Sequence, residues 1–259
     1  MTAPTLALIQ ARMSSSRLPG KVLEPLQGVP LIVYMARRAA RAKRLDGVVV
    51  VTSTDRSDDP LVDTLETAAV QVFRGDLHDV LRRYAEAAAA HGAAEIVRLT
   101  GDCPLIDPAV IDRVIDARRA SGADYSSNVD PPTFPDGFDT EFFTRETLDR
   151  ANRCAKLPAE REHVTLWMRT KAAGLRRTNV LALADLSNLR LTVDYADDLE
   201  VIRQIVALES PTHPVDMFDI LRILASRPEI LSLNPHARNE GLTKSLAPRS
   251  GPTFHGAKP

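Results

Sequence analysis

Ile9-Gln10-Ala11-Arg12-Met13-Ser14-Ser15-Ser16-Arg17-Leu18-Pro19-Gly20-Lys21 follows directly on the apolar run Leu6-Ala7-Leu8. It carries three hydroxyls, two arginines, a Pro-Gly break and a lysine, and an apolar, helix-like segment begins about ten residues later. A strand that opens into a hydroxyl-rich cationic loop suits a polyanion, above all a nucleoside triphosphate. A plain basic surface turn accounts for the same residues, so the rest of the chain must choose between the two.

Outward from this loop, short apolar runs alternate with longer amphipathic stretches. The runs at 6–9, 48–51, 70–73 and 96–99 read as strands, and 48–51 is all valine, as in a strand buried on both faces. Helices are expected over about 30–43, from Asp59 with Pro60 in its first turn, over about 77–91, and from Asp107-Pro108, an N-cap aspartate followed by an N1 proline. This β-α alternation predicts an α/β fold with a mostly parallel central sheet and helices on both faces. Such sheets bind ligands at the carboxyl ends of their strands, where the loop after the first strand lies. From Asp124 to Gly174 the rhythm breaks, and Pro131, Pro132, Pro135 and Gly137 mark an irregular stretch. A strand at 138–143 and helices introduced by Thr144 and Pro158 follow, and about 130–175 reads as an inserted arm for an acceptor or for dimerisation. The alternation resumes with a strand at 189–193 and helices over about 194–208 and 215–225. Residues 1–234 thus form one α/β domain, and 235–259, rich in Pro, Gly, Ser and basic residues, reads as a mobile tail.

Composition narrows the function classes. A chain of 259 residues can bury a sizeable core, and its formal net charge of -1 lacks the positive excess of a bulk nucleic-acid binder. The basic run Arg37–Arg44 contains no aromatic residue and reads as the solvated face of a helix rather than a nucleic-acid patch. Two cysteines, Cys103 and Cys154, have no metal-ligand spacing and fit a reducing compartment. The opening Met-Thr-Ala-Pro-Thr has no signal-peptide pattern and no apolar run approaches membrane-spanning length, so a cytoplasmic protein without a membrane partner is expected.

Two further strand ends carry chemistry. Val97-Arg98-Leu99-Thr100-Gly101-Asp102-Cys103-Pro104 places an aspartate after a tight turn, and Leu191-Thr192-Val193-Asp194 places another directly after a strand. Two such carboxylates can hold Mg²⁺ against a triphosphate, since magnesium takes one or two protein carboxylates plus phosphate oxygens and waters. Asp102 can equally be a turn residue and Asp194 a helix N-cap. Arg74, in Arg74-Gly75-Asp76, lies at the same edge or is simply exposed. Cys103 has no identifiable histidine partner and reads as a buried small residue, and His163 as a helix-surface histidine.

Together these stretches resemble the sugar-acid cytidylyltransferases, which include the CMP-KDO and CMP-sialic acid synthetases. They come nearest to the spore-coat polysaccharide biosynthesis protein F branch. The resemblance covers about residues 5–210 and rests on six motifs in order. These are the loop Ala11–Lys21, Phe73-Arg74-Gly75 with Asp79–Tyr84, Arg98–Pro108, Asp124–Asn128, Arg161-Glu162-His163-Val164, and Thr192-Val193-Asp194 with Asp198-Leu199. It implies a Rossmann-like nucleotide-diphospho-sugar transferase fold, CTP and a sugar or other small acceptor as partners, and a homodimer. It implies that Arg12, Ser15, Ser16, Arg17 and Lys21 hold the triphosphate with the Ala11 backbone near the base, and that Arg74 lies near the nucleotide. Asp102 and Asp194 would be the Mg²⁺ ligands, with Lys21, Arg12 and Asp102 the catalytic set. Asp139, Glu141 and His163 would meet the acceptor. The sequence departs from the pattern in two places: Met13-Ser14-Ser15-Ser16 stands for the usual Met-Gly-Ser-Thr, and Cys103 stands where KDO enzymes carry Glu. Losing that glycine matters if the position needs positive φ. The expected reaction is CMP transfer from CTP to a sugar hydroxyl with release of pyrophosphate. Rivals are a cytidylyltransferase for a phosphonate or alcohol phosphate, a nucleotide-binding protein without turnover, and a glycosyltransferase, although the chain has no Asp-x-Asp.

Overall fold

The structure, a computed structural model, describes residues 4–210, 214–234 and 236. The first strand, β1 (Thr5–Gln10), runs into the loop quoted above, and a two-stranded ribbon, β2 (Pro25–Leu26) and β3 (Val29–Pro30), leads to helix α1 (Leu31–Ala39). Then follow β4 (Gly47–Ser53), α2 (Asp59–Thr67), β5 (Gln71–Gly75), α3 (Val80–Ala90), β6 (Glu95–Thr100), α4 (Pro108–Ser121) and β7 (Tyr125–Ser127). The second half adds β8 (Glu141–Thr144), α5 (Arg145–Cys154), α6 (Pro158–Glu162), β9 (Arg177–Asn179), α7 (Ala196–Val206) and α8 (Met217–Ser226).

Seven strands form one sheet in the order β5-β4-β1-β6-β8-β7-β9. The four on the β5 side are parallel, β8 runs antiparallel to both β6 and β7, and β9 is parallel to β7. Alternate residues of each central strand serve different cores, because strand side chains have period two. Ala7, Ile9, Val50, Val97 and Phe142 join one cluster with residues of α1, α2, α4, α7 and α8. Leu6, Leu8, Val49, Val51, Ile96 and Phe143 join the other with residues of α3 and α5. Both faces are therefore apolar, which is why these strands read as continuous runs rather than as alternations.

Local signals placed the helices well. Asp107 caps α4 by accepting from Ala109 N–H at 2.7 Å, and Thr144 caps α5 by accepting from Thr147 N–H at 3.1 Å. Helix α1 stops at Ala39, short of the expected 43, and Arg41 and Ala42 continue only as single turns. Arg38 in its last turn is buried, with its guanidinium on the carbonyls of Ile106 and Val215 and on Glu209, so the basic run is not wholly a solvated face.

Two expectations are corrected. Residues 189–193 do not form a strand. They run extended with one isolated bridge, Asp136 to Arg190, and with Leu191 N–H donating to the Asp136 carbonyl and Val193 N–H to the Asp102 carbonyl. Their partners are irregular turns, so no ladder can propagate. Gly137 permits the approach: its φ is 114°, and a Cβ there would lie 2.7 Å from the Leu191 carbonyl oxygen. The strand expected at 138–143 forms only over β8, because Phe138 and Thr140 instead pair with the Asn128 side chain. That strand lies inside the sheet, between β6 and β7, so the segment 130–175 is woven into the sheet and into both cores. Strands β7 and β9, three residues each, carried no readable run. Apart from His236, the expected tail 235–259 lies outside the described residues. No helix among the described residues is long and apolar enough to cross a membrane.

Candidate active site

The parallel strands end at one edge, and the loops that leave them enclose a cleft of about 360 Å³. After β1, Ala11 N–H still donates to the Val51 carbonyl of β4 at 3.2 Å, and then the chain turns on itself. The Met13 carbonyl receives N–H groups of Ser15 and Gly20, both at 2.9 Å. Gly20 takes φ 75°, the left-handed region that a Pro-Gly break supplies, and Lys21 begins a single 3₁₀ turn. Ser14 is not among the positive-φ residues, so serine in place of glycine strains nothing there.

A residue that sequence reasoning missed anchors this loop. Asp58, fully buried, accepts from Met13 N–H at 2.7 Å, Thr52 Oγ1 at 2.9 Å and both Ser53 N–H and Oγ. Burial would raise its pKa, but the hydrogen bonds from Ser53, Met13 and Thr52 override it and hold the carboxyl below its usual range. In the sequence Asp58 looks like an ordinary residue before the α2 helix.

Asp102, just after β6, and Asp194 meet at Lys21. Its Nζ donates to Asp194 Oδ1 at 2.8 Å and to the Val193 carbonyl at 2.5 Å, and lies 3.9 Å from Asp102 Oδ2. Arg17 also pairs with Asp194 Oδ1 at 2.8 Å, and Arg190 reaches Asp194 Oδ2 at 3.1 Å. Burial works against ionisation of Asp194, yet the charge and hydrogen bond of Lys21, with Arg17 and Arg190, bring its pKa below the usual range. Asp194 is not the N-cap of α7, which falls on Tyr195; Asp198 instead accepts the N–H groups of Asp194 and Tyr195 at 2.8 and 2.9 Å. Arg190, unsuspected from sequence, ties this corner together by pairing with Asp136 at 3.2 Å and with both oxygens of Asp198 at 3.0 Å. Its neighbours Leu189 and Leu191 disguised it as one charge in an apolar run.

Gly101 brings β6 against β1. A Cβ there would sit 2.9 Å from the Gln10 carbonyl oxygen and 3.0 Å from Ala11 Cβ, so only glycine lets Asp102 follow so closely. Cys103 is buried, and its Sγ lies 3.3 Å from Thr100 Oγ1 and 3.4 Å from Asp102 Oδ1. Burial, then the charges of Asp102, Asp139 and Asp136, push the thiol well above its usual pKa, which suits a neutral packed residue and not a nucleophile.

The far wall of the cleft is built on β6 and β8. Arg98 is paired with Glu141, which also accepts from Tyr125 Oη at 2.5 Å and Thr165 Oγ1 at 2.6 Å. Despite burial, the charges of Arg98 and Arg169 with these hydroxyls bring Glu141 down to a pKa of about 2. His163, from the turn after α6, lines the same wall, and burial lowers its pKa, leaving a neutral imidazole at neutral pH. Ala11, Arg12, Ser15, Ser16, Arg17, Lys21, Asp102, Asp139, Glu141, His163 and Asp194 therefore share one cleft. Arg74 does not line it: its guanidinium is held by the Ser53 and Asp55 carbonyls at 2.9 Å and by Asp59 at 2.7 Å.

Among the described residues, four buried side-chain polar atoms have no hydrogen-bond partner: Nε of Arg83, Arg98 and Arg169, and Oγ1 of Thr192. All four residues line this cleft. Buried polar atoms are normally satisfied, so their concentration around this cleft is unusual.

Comparison with known proteins agrees with this geometry. The family model for cytidylyltransferase matches residues 6–206. The spore coat polysaccharide biosynthesis protein SpsF of Bacillus subtilis is 33% identical over 232 residues, 86% of this chain and 95% of that protein. A cytidylyltransferase structure from Leptospira borgpetersenii is 30% identical and superposes with a TM-score of 0.85 over 91% of this chain and 99% of that one. A structure of CMP:2-keto-3-deoxy-manno-octonic acid synthetase complexed with CTP shares the fold, with a TM-score of 0.60 at 20% identity over 80% of this chain and all of that one. With a matched region that runs from β1 through α7 and takes in the whole cleft, this chain belongs to the cytidylyltransferase family.

Proposed function

We propose that the protein transfers CMP from CTP to a hydroxyl of a sugar or sugar acid, for a surface glycan or related polymer. The observation that supports this most is the convergence of Lys21, Arg17, Asp102 and Asp194 beside a hydroxyl-rich loop. An acceptor oxygen attacks the α-phosphorus of CTP, the bond from that phosphorus to the bridging oxygen breaks, and pyrophosphate leaves. The hydroxyl proton passes to solvent; no side-chain base is assigned. Arg12, Arg17 and Lys21, with Ser15 and Ser16, hold the phosphates and stabilise the charge that builds on them, and the Ala11 backbone lies near the base. The wall with Asp139, Glu141 and His163 faces the acceptor. There Glu141 acts mainly through Arg98, whose guanidinium it orients.

The residues present fit a magnesium ion. Asp102 and Asp194 both reach the same lysine ammonium, so their oxygens can serve one small cation, and two hard carboxylates with phosphate oxygens suit Mg²⁺. Asp102, 29% exposed at its side chain and only 3.9 Å from one cation, is the freer ligand, whereas Asp194 already meets three. When bound, Mg²⁺ would neutralise phosphate charge and acidify a coordinated hydroxyl. The same reading takes the enzyme as a cytoplasmic homodimer.

Thermal shift with each of the four ribonucleoside triphosphates, with and without Mg²⁺, tests the nucleotide. A CTP-selective, Mg²⁺-dependent rise is expected, and equal shifts for all four would sink the CTP assignment. Pyrophosphate release over a panel of sugars, 2-keto sugar acids and alcohol phosphates then identifies the acceptor class. Release with alcohol phosphates alone would overturn the sugar reading.

A further inference from the structure

We propose that His236 is a positioning residue for Arg17, acting through the ring of Tyr195. This rests on the assignment of Arg17 to the triphosphate. The imidazole of His236 stacks on Tyr195 with ring centroids 3.9 Å apart and planes inclined by 19°. The Arg17 guanidinium lies 5.3 Å from the centroid of the same ring, and its other tether is Asp194 at 2.8 Å. A ring stacked on one side offers the guanidinium only its remaining surface, so His236 limits where Arg17 can rest.

The segment that carries His236 is anchored at both of its described polar residues. Asn234 Nδ2 donates to Asp198 Oδ1 at 2.5 Å, and the His236 N–H donates to Asn234 Oδ1 at 3.0 Å. His236 Nε2 lies 3.0 and 3.2 Å from the two oxygens of Asp197. Asp198 is the same carboxylate that holds Arg190 and accepts the N–H groups of Asp194 and Tyr195. One carboxylate therefore fixes both the site backbone and the chain that returns over it. His236 lies beyond the region matched by the family model.

Holding a tyrosine ring in place before ligand arrives spares the ordering of both Tyr195 and Arg17 on binding. The effect belongs to affinity for the phosphates rather than to the chemical step. The test uses full-length His236→Ala, His236→Phe and Arg17→Ala, with equilibrium binding of CTP and of CMP in the presence of Mg²⁺, and thermal melts. For His236→Ala the CTP affinity is expected to fall about fivefold, the size of a lost stacking and cation–π arrangement, with a smaller loss for CMP. His236→Phe keeps the ring and is expected to restore most of the CTP affinity, although it loses the contact to Asp197. Unchanged CTP binding in His236→Ala overturns the proposal, as does equal loss for CTP and CMP, which is the mark of general damage. A phenylalanine variant as weak as the alanine variant overturns the route through the stack. If Arg17→Ala binds CTP normally, the assignment of Arg17 falls first and the inference with it.

Discussion

Lys21 and Glu141 show how single residues set this site. Lys21 is buried, and its ammonium bridges two carboxylates that lie far apart in sequence. Replacing it by alanine removes the ammonium shared by Asp102 and Asp194 and, on the proposed reading, one of three cations at the triphosphate. Pyrophosphate release by Lys21→Ala is expected to fall about a hundredfold or more, while unfolding stays cooperative; near-normal release would refute the role. Glu141 makes a pH-dependent contribution to stability. Its folded pKa of about 2 lies below the ordinary 4.5, so its contribution to stability is full above about 4.5 and drains away as pH falls toward 2. Glu141→Gln is expected to be less stable than the parent at neutral pH and to lose less on going from pH 5 to pH 3, as read in urea melts. Parallel losses in both proteins would count against this account. Asp102 and Asp194 were legible because each closes an apolar run. Arg98 and Arg190 were not legible as site residues, because a lone arginine inside an apolar run does not reveal which buried carboxylate it meets.

Elements were legible where the signal is local. The Asp107 cap of α4 and the first-turn prolines of α2, α4 and α6 come from neighbouring residues, and they lie where the sequence put them. Asp107 also does something no local rule foretells: its second oxygen accepts from Met217 N–H at 2.8 Å, joining the start of α4 to the start of α8. Asp107→Ala removes a cap and leaves a buried N–H unpaired. A loss of about 2–4 kcal/mol is expected from denaturant melts, more than a surface cap supplies. A loss below about 1 kcal/mol would show that the Met217 contact contributes nothing. Strands β7 and β9 and the extended stretch at 189–193 failed the same rules for a related reason. Their pairing is decided by which segment lies alongside, a long-range fact that three-residue runs do not advertise.

At the scale of the whole molecule, Arg38 joins α1 to two distant parts of the chain. From α1 it reaches the carbonyls of Ile106 and Val215 and the carboxylate of Glu209, and only 3% of it is exposed. Arg38→Ala is expected to cost about 3–5 kcal/mol, the range for breaking a buried charge pair, and urea titration would read it. A cost under 1 kcal/mol would mean that the region around Glu209 does not depend on α1. The sequence by itself determined the α/β class, the two-sided core and the edge at which the cleft opens, because hydrophobic period and strand-to-loop order are local and cumulative. It also determined the family, through motifs that survive as short strings. Only the tertiary structure decided that β8 lies inside the sheet, that Asp58 pins the loop after β1, that Arg74 stays out of the cleft lining, and that Arg190 gathers Asp136, Asp194 and Asp198. The reason is physical: a buried charge is tolerable only beside its partner, and that partner is chosen by how the chain folds back, not by its position along the chain.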